Sequence, residues 1–162
     1  MKQHQTEEPT PTIESTIAFI QKVHAGQFDK GGIAYWQHPV SVMKRLGEAL
    51  DDFKFAALLH DVIEDTPTTA DDLRAMGYSN DVVAAVVRLT KTGDAPYLEV
   101  IQGIADSGDV IAIAVKIADN EDNLDPDRLA RLPEEMRGGN EKYRRSIAIL
   151  KAAAIVERIG QA

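Results

Sequence analysis

An adjacent histidine and aspartate interrupt an otherwise apolar segment of the chain. His60 and Asp61 offer an imidazole and a carboxylate to the same region of space. Glu64 and Asp65 follow four residues later, which is about one helical turn and places them on the same face. Unpaired buried charge is costly, and residues 56–65 contain no Lys or Arg to pair with the three carboxylates. A bound metal ion is the simplest explanation for this group of side chains.

Two further candidate ligands lie elsewhere in the sequence. His38 stands beside Pro39 at the expected start of a helix, and Asp119 lies at the polar end of a long apolar run. Two imidazoles and two carboxylates suit Mn²⁺, Fe²⁺ or Zn²⁺ better than Mg²⁺ or Ca²⁺. Taken singly, each residue has an ordinary structural explanation, as a satisfied core histidine or a turn aspartate. Only the set of four indicates a metal site.

Such a site would suit hydrolysis. Four protein ligands on a six-coordinate ion leave positions for a water molecule and a substrate. A metal ion lowers the pKa of its water and polarises a phosphoryl oxygen, and both effects favour attack on phosphorus. The set therefore predicts a metal-dependent phosphohydrolase.

The elements that must position these residues are predicted to be helices. Thr12 is a candidate N-cap for a helix with apolar residues at helical spacing. The run Val110–Val115 is apolar enough for a buried strand, but its length, its alanines and the lack of a partner strand favour a helix. Further helices are expected over residues 39–50, from 51 or 52 to before 67, 68–77, 79–89, 96–105 and 140–159. The helix that begins at residue 51 or 52 is expected to carry the His60-Asp61 pair. The chain is predicted to be all-α.

Length and composition indicate one domain. The chain has 162 residues, of which 44% are hydrophobic and 27% are charged. Residues 1–11 are polar and contain two prolines, so we expect a flexible tail followed by a domain over residues 12–162. With no cysteine, the chain has no disulfide, thiolate nucleophile or cysteine-type zinc site.

The charge balance excludes other classes of partner. Eighteen basic against 26 acidic residues give a net charge of −8, which argues against a nucleic-acid surface. A small anionic substrate is still compatible with this charge, because a bound cation dominates its local field. The sequence has no apolar stretch long enough for a membrane span and no signal peptide, so we expect no membrane partner and a cytoplasmic location. The oligomeric state cannot be read from the sequence.

Three segments resemble the hydrolase domains of RelA/SpoT-like alarmone enzymes and the small stand-alone alarmone hydrolases, within the HD superfamily of metal-dependent phosphohydrolases. Residues 57–66 match the family segment Ala-Leu-Leu-His-Asp-x-x-Glu-Asp-Thr without a gap. Residues 24–39 are similar to its stretch that begins with His and ends with Tyr and His-Pro. Residues 115–123 resemble Val-Lys-Leu-Ala-Asp-x-x-x-Asn. The resemblance covers about residues 16–155.

The resemblance implies a single-domain HD-type helical bundle and a Mn²⁺-dependent activity. That activity is removal of the 3′-pyrophosphate from ppGpp or pppGpp, the purine nucleotides of the stringent response. The implied metal ligands are His38, His60, Asp61 and Asp119. The implied groups that orient and activate the attacking water are Glu64 and Asp65. The implied substrate contacts are Lys30, Thr90, Asn123 and Tyr143.

The chain departs from the family in the loop before His38 and near Asp119. Asp29 stands where the family has an arginine that helps to hold the guanine base, and Ile33-Ala34 replaces Glu-Pro. Asp122 adds an acid where many relatives have a neutral or apolar residue. Two alternatives therefore stay open. The chain would be an HD phosphohydrolase for another phosphorylated nucleotide or small molecule, or a non-catalytic alarmone-binding module.

Overall fold

The computed structural model describes residues 10–160, and the chain is all-α across them, as the sequence predicts. In chain order the helices are α1 (Ile13–Val23), α2 (Gln37–Arg45), α3 (Asp51–Leu59), α4 (Val62–Asp65), α5 (Ala70–Ala75), α6 (Asn80–Leu89), α7 (Tyr97–Asp106), α8 (Val110–Asn123), α9 (Pro126–Ala130) and α10 (Glu141–Gly160). A short 3₁₀ helix spans Glu134–Met136. In this range the β-structure is limited to one isolated bridge between Phe28 and Ala34. Most of the predicted tail, residues 1–9, lies outside the described residues.

Polar caps begin several helices where the sequence predicts them. Thr12 accepts a hydrogen bond from the backbone amide of Ser15, whose side chain accepts one from the Thr12 amide. Thr69 forms the same capping box at the start of α5. Ser79 and Asp109 cap α6 and α8 by accepting a backbone N–H bond. These caps satisfy amides that have no partner within their own helix, so each fixes where the helix begins.

Helix α8 lies at the centre of the fold. It packs against α2, α3, α6 and α10, which explains why its sequence is apolar on nearly every side. Ile111, Ile113 and Val115 are buried in the core that they form with Leu58 and Leu59 of α3. The helical interpretation of this run is thereby confirmed over the strand that it resembles. The same helix carries Asp119 into the interior.

The helix expected to carry His60 and Asp61 is interrupted at those two residues, so this prediction was wrong in detail. Helix α3 ends at Leu59, and α4 begins at Val62. The φ of −106° at Asp61 departs from the helical value of about −60°, which turns its carboxylate relative to α3. The run of alanine and leucine before His60 contains no helix breaker, so local propensity gave no sign of this break.

Two other elements differ from the sequence prediction. Helix α2 ends at Arg45 rather than near residue 50, because Gly47 adopts a φ of +58° that terminates it. Helix α9 was not predicted; it begins with Asp125, which caps the amides of Asp127 and Arg128, and has Pro126 in its first turn. Five residues are too few to show helical periodicity in the sequence.

Among residues 10–160, no helix combines the length and the apolar character that a bilayer crossing requires.

Candidate active site

Three of the predicted metal ligands meet in the interior from three different helices. His38 comes from α2, His60 from the end of α3 and Asp119 from α8, and each is at most 6% exposed. One donor atom from each lies within 4.8 Å of the other two. The Asp119 Oδ1 atom is 3.1 Å from His38 Nε2 and 3.9 Å from His60 Nε2. This spacing suits three donors that converge on one ion.

The fourth predicted ligand lies beside this group. Asp61 places its Oδ2 atom 2.9 Å from His60 Nε2, and its side chain is 20% exposed. The same oxygen accepts a 2.5 Å hydrogen bond from the Tyr35 hydroxyl. Tyr35 belongs to the matched stretch 24–39, but no role for it was predicted from the sequence. Its hydroxyl fixes the orientation of the Asp61 carboxylate.

The orientation of His60 fits a metal ligand. Its Nδ1–H donates a 2.7 Å hydrogen bond to the carbonyl of Ala57, so Nε2 carries the lone pair in the neutral ring. Within the described residues, buried Nε2 has no hydrogen-bond partner, although the Asp61 carboxylate is close. A buried lone pair between two carboxylates is the donor that a divalent transition-metal ion takes. The residues present therefore fit a divalent metal.

Asp119 and the adjacent Asp61 are both ionised at neutral pH. Burial opposes the charge on Asp119, but Lys116 and His38 keep the pKa of Asp119 well below its usual range. Lys116 Nζ lies 2.8 Å from Asp119 Oδ2, and the amide nitrogen of Asn123 lies 3.0 Å from Oδ1. Burial also opposes the charge on Asp61, whose pKa falls to about 2 mainly because of His60. Neither carboxylate needs to lose a proton before it binds a cation.

Metal binding is expected to displace a proton from His60. Burial disfavours its charged form, yet Asp61 and Asp119 raise the pKa of His60 to about 9 in the metal-free protein. Below that pH the ring is protonated, whereas a metal ligand must be neutral, so the proton leaves when the ion binds. We expect Mn²⁺ affinity to fall as the pH is lowered from about 9 toward 6. Calorimetric titrations of Mn²⁺ near pH 7, in two buffers of different ionisation enthalpy, check this, because a released proton is taken up by the buffer and changes the observed heat of binding. Identical heats of binding in the two buffers would contradict the expectation.

Glu64 and Asp65 lie on the exposed side of the cluster, on α4. Glu64 Oε2 accepts a 2.9 Å hydrogen bond from the backbone amide of Lys91. Burial and the charges of Asp61 and Glu64 raise the pKa of Asp65. A carboxylate with a raised pKa beside a metal site is suited to accept a proton from water. The backbone carbonyl of Asp65 accepts a 3.1 Å hydrogen bond from the Gln27 amide.

A cavity of about 390 Å³ adjoins the cluster. Of the predicted substrate contacts, Lys30, Asn123 and Tyr143 line it. Thr90 is not among its lining residues. It is the C-cap of α6, and its hydroxyl donates to the Val86 carbonyl. Tyr35 and Asn123 both line the cavity. Tyr35 donates to Asp61 and Asn123 donates to Asp119, so these two residues lie between the cavity and the cluster.

Two cationic side chains that line the cavity were not predicted from the sequence. Arg128 and Lys142 line it together with Lys30, in a chain whose net charge is −8. Neither residue lies in a motif, and Arg128 stands on α9, the helix that was not predicted. No signal in a single sequence distinguishes them from surface cations. Together these cations make the cavity suitable for an anionic ligand.

Asp29 also lines the cavity but is largely occupied by its own loop. Its Oδ1 atom accepts 2.9 Å hydrogen bonds from the backbone amides of Gly31 and Ile33. Its Oδ2 atom lies 3.9 Å from Nη1 of Arg128. The acid at this position therefore closes a turn and faces a cation that another helix supplies.

Comparison with known proteins places these motifs in context. No family model matches the chain. The bifunctional (p)ppGpp synthase/hydrolase SpoT of Escherichia coli is 29% identical over 146 residues, which cover 80% of this chain and 21% of that protein. A guanosine-3′,5′-bis(diphosphate) 3′-pyrophosphohydrolase of Haemophilus influenzae is 34% identical over 128 residues, which cover 69% of this chain and 19% of that protein. The chain thus spans about a fifth of the length of the curated relatives it matches.

A solved structure has the same fold. It is that of a metazoan ortholog of SpoT that hydrolyses ppGpp, and it matches with a TM-score of 0.72 and 22% identity. The match covers 91% of this chain and 90% of the other. The all-α HD-type fold is confirmed by this likeness. The resemblance to RelA/SpoT-type hydrolase domains is confirmed by the curated relatives.

Proposed function

We propose that this chain, which resembles the hydrolase domains of RelA/SpoT-type enzymes, is a metal-dependent 3′-pyrophosphohydrolase of ppGpp-like nucleotides. The observation that supports the proposal is that two features lie next to each other. A buried cluster of two histidines and an aspartate has the donors of a divalent metal site, and a cavity with three cations adjoins it. The cluster suits hydrolysis, and the cavity suits a polyphosphorylated ligand.

The proposed ion is Mn²⁺, with Fe²⁺ or Zn²⁺ as chemically suitable substitutes. The proposed ligands are His38, His60, Asp61 and Asp119. When bound, such an ion supplies a lowered pKa for a coordinated water and polarises a phosphoryl oxygen. The Tyr35 hydroxyl and the Lys116 ammonium hold Asp61 and Asp119 in place. The ligand geometry is thus fixed by contacts outside the metal site.

The proposed catalytic groups are Asp65 and Glu64. Asp65 has a raised pKa and accepts the proton that the attacking water loses. Glu64 is exposed on the same short helix and orients that water. Gln27 donates to the backbone carbonyl of Asp65 and also accepts from His24, which is buried. These contacts join the end of α4 to His24 at the end of α1.

The substrate is proposed to bind in the adjoining cavity. Lys30, Arg128 and Lys142 attract its phosphate groups, and Asn123 contacts the nucleotide beside Asp119. Tyr143 offers a ring for stacking, with Lys142 Nζ 4.9 Å from its centroid. The role of Thr90 remains a prediction from the resemblance. The domain limits 12–162 and the cytoplasmic location remain predictions from the composition and patterning of the sequence.

A second candidate is an HD phosphohydrolase for a different phosphorylated small molecule. The observation that favours it is Asp29, which takes the place of a base-holding arginine and bonds its own loop. A carboxylate there repels an anionic group and lacks the guanidinium that the resemblance assigns to holding guanine. The substrate of this candidate would lack guanine but retain phosphate groups for the three cations.

The proposal is tested with Mn²⁺-loaded protein and a panel of nucleotides with and without a 3′-pyrophosphate, scored for pyrophosphate and orthophosphate. We expect pyrophosphate release from ppGpp and pppGpp, and none from GDP or GTP. Release from other phosphorylated compounds alone would favour the second candidate. Binding of ppGpp without turnover, unchanged by Asp65→Asn, would instead identify a non-catalytic binding module.

A further inference from the structure

Asp122 makes an unusual number of contacts for a residue outside the predicted ligand set. It is 3% exposed and lies on α8. Its Oδ2 atom is 2.8 Å from His38 Nδ1 and 3.3 Å from Arg128 Nη1. Its Oδ1 atom accepts from Ser41 Oγ at 2.5 Å and from Arg45 Nε at 3.0 Å. A single buried carboxylate thus joins α2, α8 and α9.

We propose that Asp122 is a positioning residue for the metal site, which acts by fixing the ring of His38. The inference rests on the proposed function, since it requires that His38 bind a metal ion. Asp122 is not a ligand in this account, because the imidazole of His38 lies between its carboxylate and the other donors of the cluster.

The geometry determines which nitrogen of His38 carries the proton when a metal ion is bound. A neutral imidazole has one N–H donor and one acceptor, and a carboxylate can only accept. Carboxylates face both nitrogens, Asp122 at Nδ1 and Asp119 at Nε2. When Nε2 binds a metal ion, the one proton of the neutral ring would lie on Nδ1, where Asp122 accepts its hydrogen bond. His38 Nε2 faces the cluster, 3.1 Å from Asp119 Oδ1. A histidine ligand held in this way by a carboxylate is pre-oriented and more basic toward the metal.

Two arginines make a buried carboxylate tolerable at this position. Arg45 and Arg128 both pair with Asp122, and Arg45 also pairs with Asp125 at 2.7 Å. Burying an unpaired charge is costly, so these guanidinium groups keep Asp122 as an ionised acceptor for His38. Arg128 Nη1 also lies 3.0 Å from His38 Nδ1, but it cannot donate to a nitrogen that already bears a proton. We therefore assign that guanidinium to Asp122.

The test measures Mn²⁺ binding to metal-free protein by calorimetric titration, which does not depend on turnover. Asp122→Ala removes the acceptor and is expected to raise the Mn²⁺ Kd by about 10- to 100-fold. Asp122→Asn keeps the shape and an acceptor oxygen, and is expected to raise the Kd by about 10-fold, at the low end of that range. If the alanine variant does not fold, the asparagine variant still decides the question. Asp125→Asn is the matched control, since Asp125 shares Arg45 but makes no contact with His38.

The outcomes separate the inference from the function on which it rests. Weaker Mn²⁺ binding by the Asp122 variants, with Asp125→Asn at the wild-type Kd, supports the inference. An unchanged Kd with a lowered melting temperature of the metal-free protein would show that Asp122 only holds three helices together, and would overturn it. Wild-type protein that binds no Mn²⁺ would overturn the metal site itself, and the inference with it.

Discussion

Replacement of Asp119 by asparagine is expected to abolish measurable Mn²⁺ binding and to lower pyrophosphate release by 1,000-fold or more. Asp119 Oδ1 is the one carboxylate oxygen within 4 Å of the Nε2 atoms of both His38 and His60, among the described residues. An amide oxygen carries no charge to offset the ion. A bound metal ion stabilises the transition state by several kcal/mol, and each loss of about 1.4 kcal/mol lowers the rate tenfold. Calorimetry and a pyrophosphate assay measure the two effects.

The same substitution also leaves Lys116, which is partly buried, without its anion. Breaking a buried ion pair costs about 3–5 kcal/mol, so the melting temperature of metal-free Asp119→Asn should fall as well. Glu121→Gln is the matched control, because Glu121 lies two residues away on α8 and pairs with Lys151 at 3.0 Å. Mn²⁺ binding by folded Asp119→Asn at the wild-type Kd would remove Asp119 from the ligand set.

Replacement of Asp65 by asparagine is expected to lower kcat by about 100- to 10,000-fold while the Mn²⁺ Kd changes by less than about threefold. The carboxylate of Asp65 is exposed beside the cluster and accepts the proton of the attacking water in our account. Because only its ionised form is a base, wild-type activity should fall as the pH drops below the raised pKa of Asp65. Asp65→Asn should lose this dependence. Steady-state kinetics across pH measures both effects.

Asp71→Asn provides the control for this experiment. Asp71 is an acid on the neighbouring helix α5, its side chain is 92% exposed, and it pairs with Arg74 in the same turn. Its replacement should leave kcat and its pH dependence unchanged. A kcat for Asp65→Asn within tenfold of the wild type would assign the base to another group, with Glu64 the first to be tested.

Local signals in the sequence were sufficient for most of the fold. Thr12, Thr69 and Asp109 begin helices because each offers an oxygen to a free backbone amide, and that chemistry can be read from one residue. The break at His60-Asp61 could not be read, because it arises from tertiary contacts of residues within a strongly helical segment. Tertiary packing overrides propensity at such positions.

The candidate site was predictable only in part. The type and spacing of His60, Asp61, Glu64 and Asp65 indicated a metal site. His38 and Asp119 were candidate ligands by residue type, and the resemblance implied the same four ligands, His38, His60, Asp61 and Asp119. The contact of Tyr35 with Asp61 and the contact of Asp122 with His38 join residues 26 and 84 positions apart, which no local pattern reveals. The cations Arg128 and Lys142 were missed for the same reason, since only folding brings them to the cavity.

The central claim is that the cluster binds a divalent metal and uses it to hydrolyse a 3′-pyrophosphate. The measurement that tests it most directly is pyrophosphate release from ppGpp by wild-type protein and Asp61→Ala, each with and without Mn²⁺. We expect release by the wild type with Mn²⁺ alone, and its loss in Asp61→Ala. Release that is independent of Mn²⁺, or that persists in Asp61→Ala, would contradict the account. The same would be true if Mn²⁺-loaded wild-type protein released no pyrophosphate.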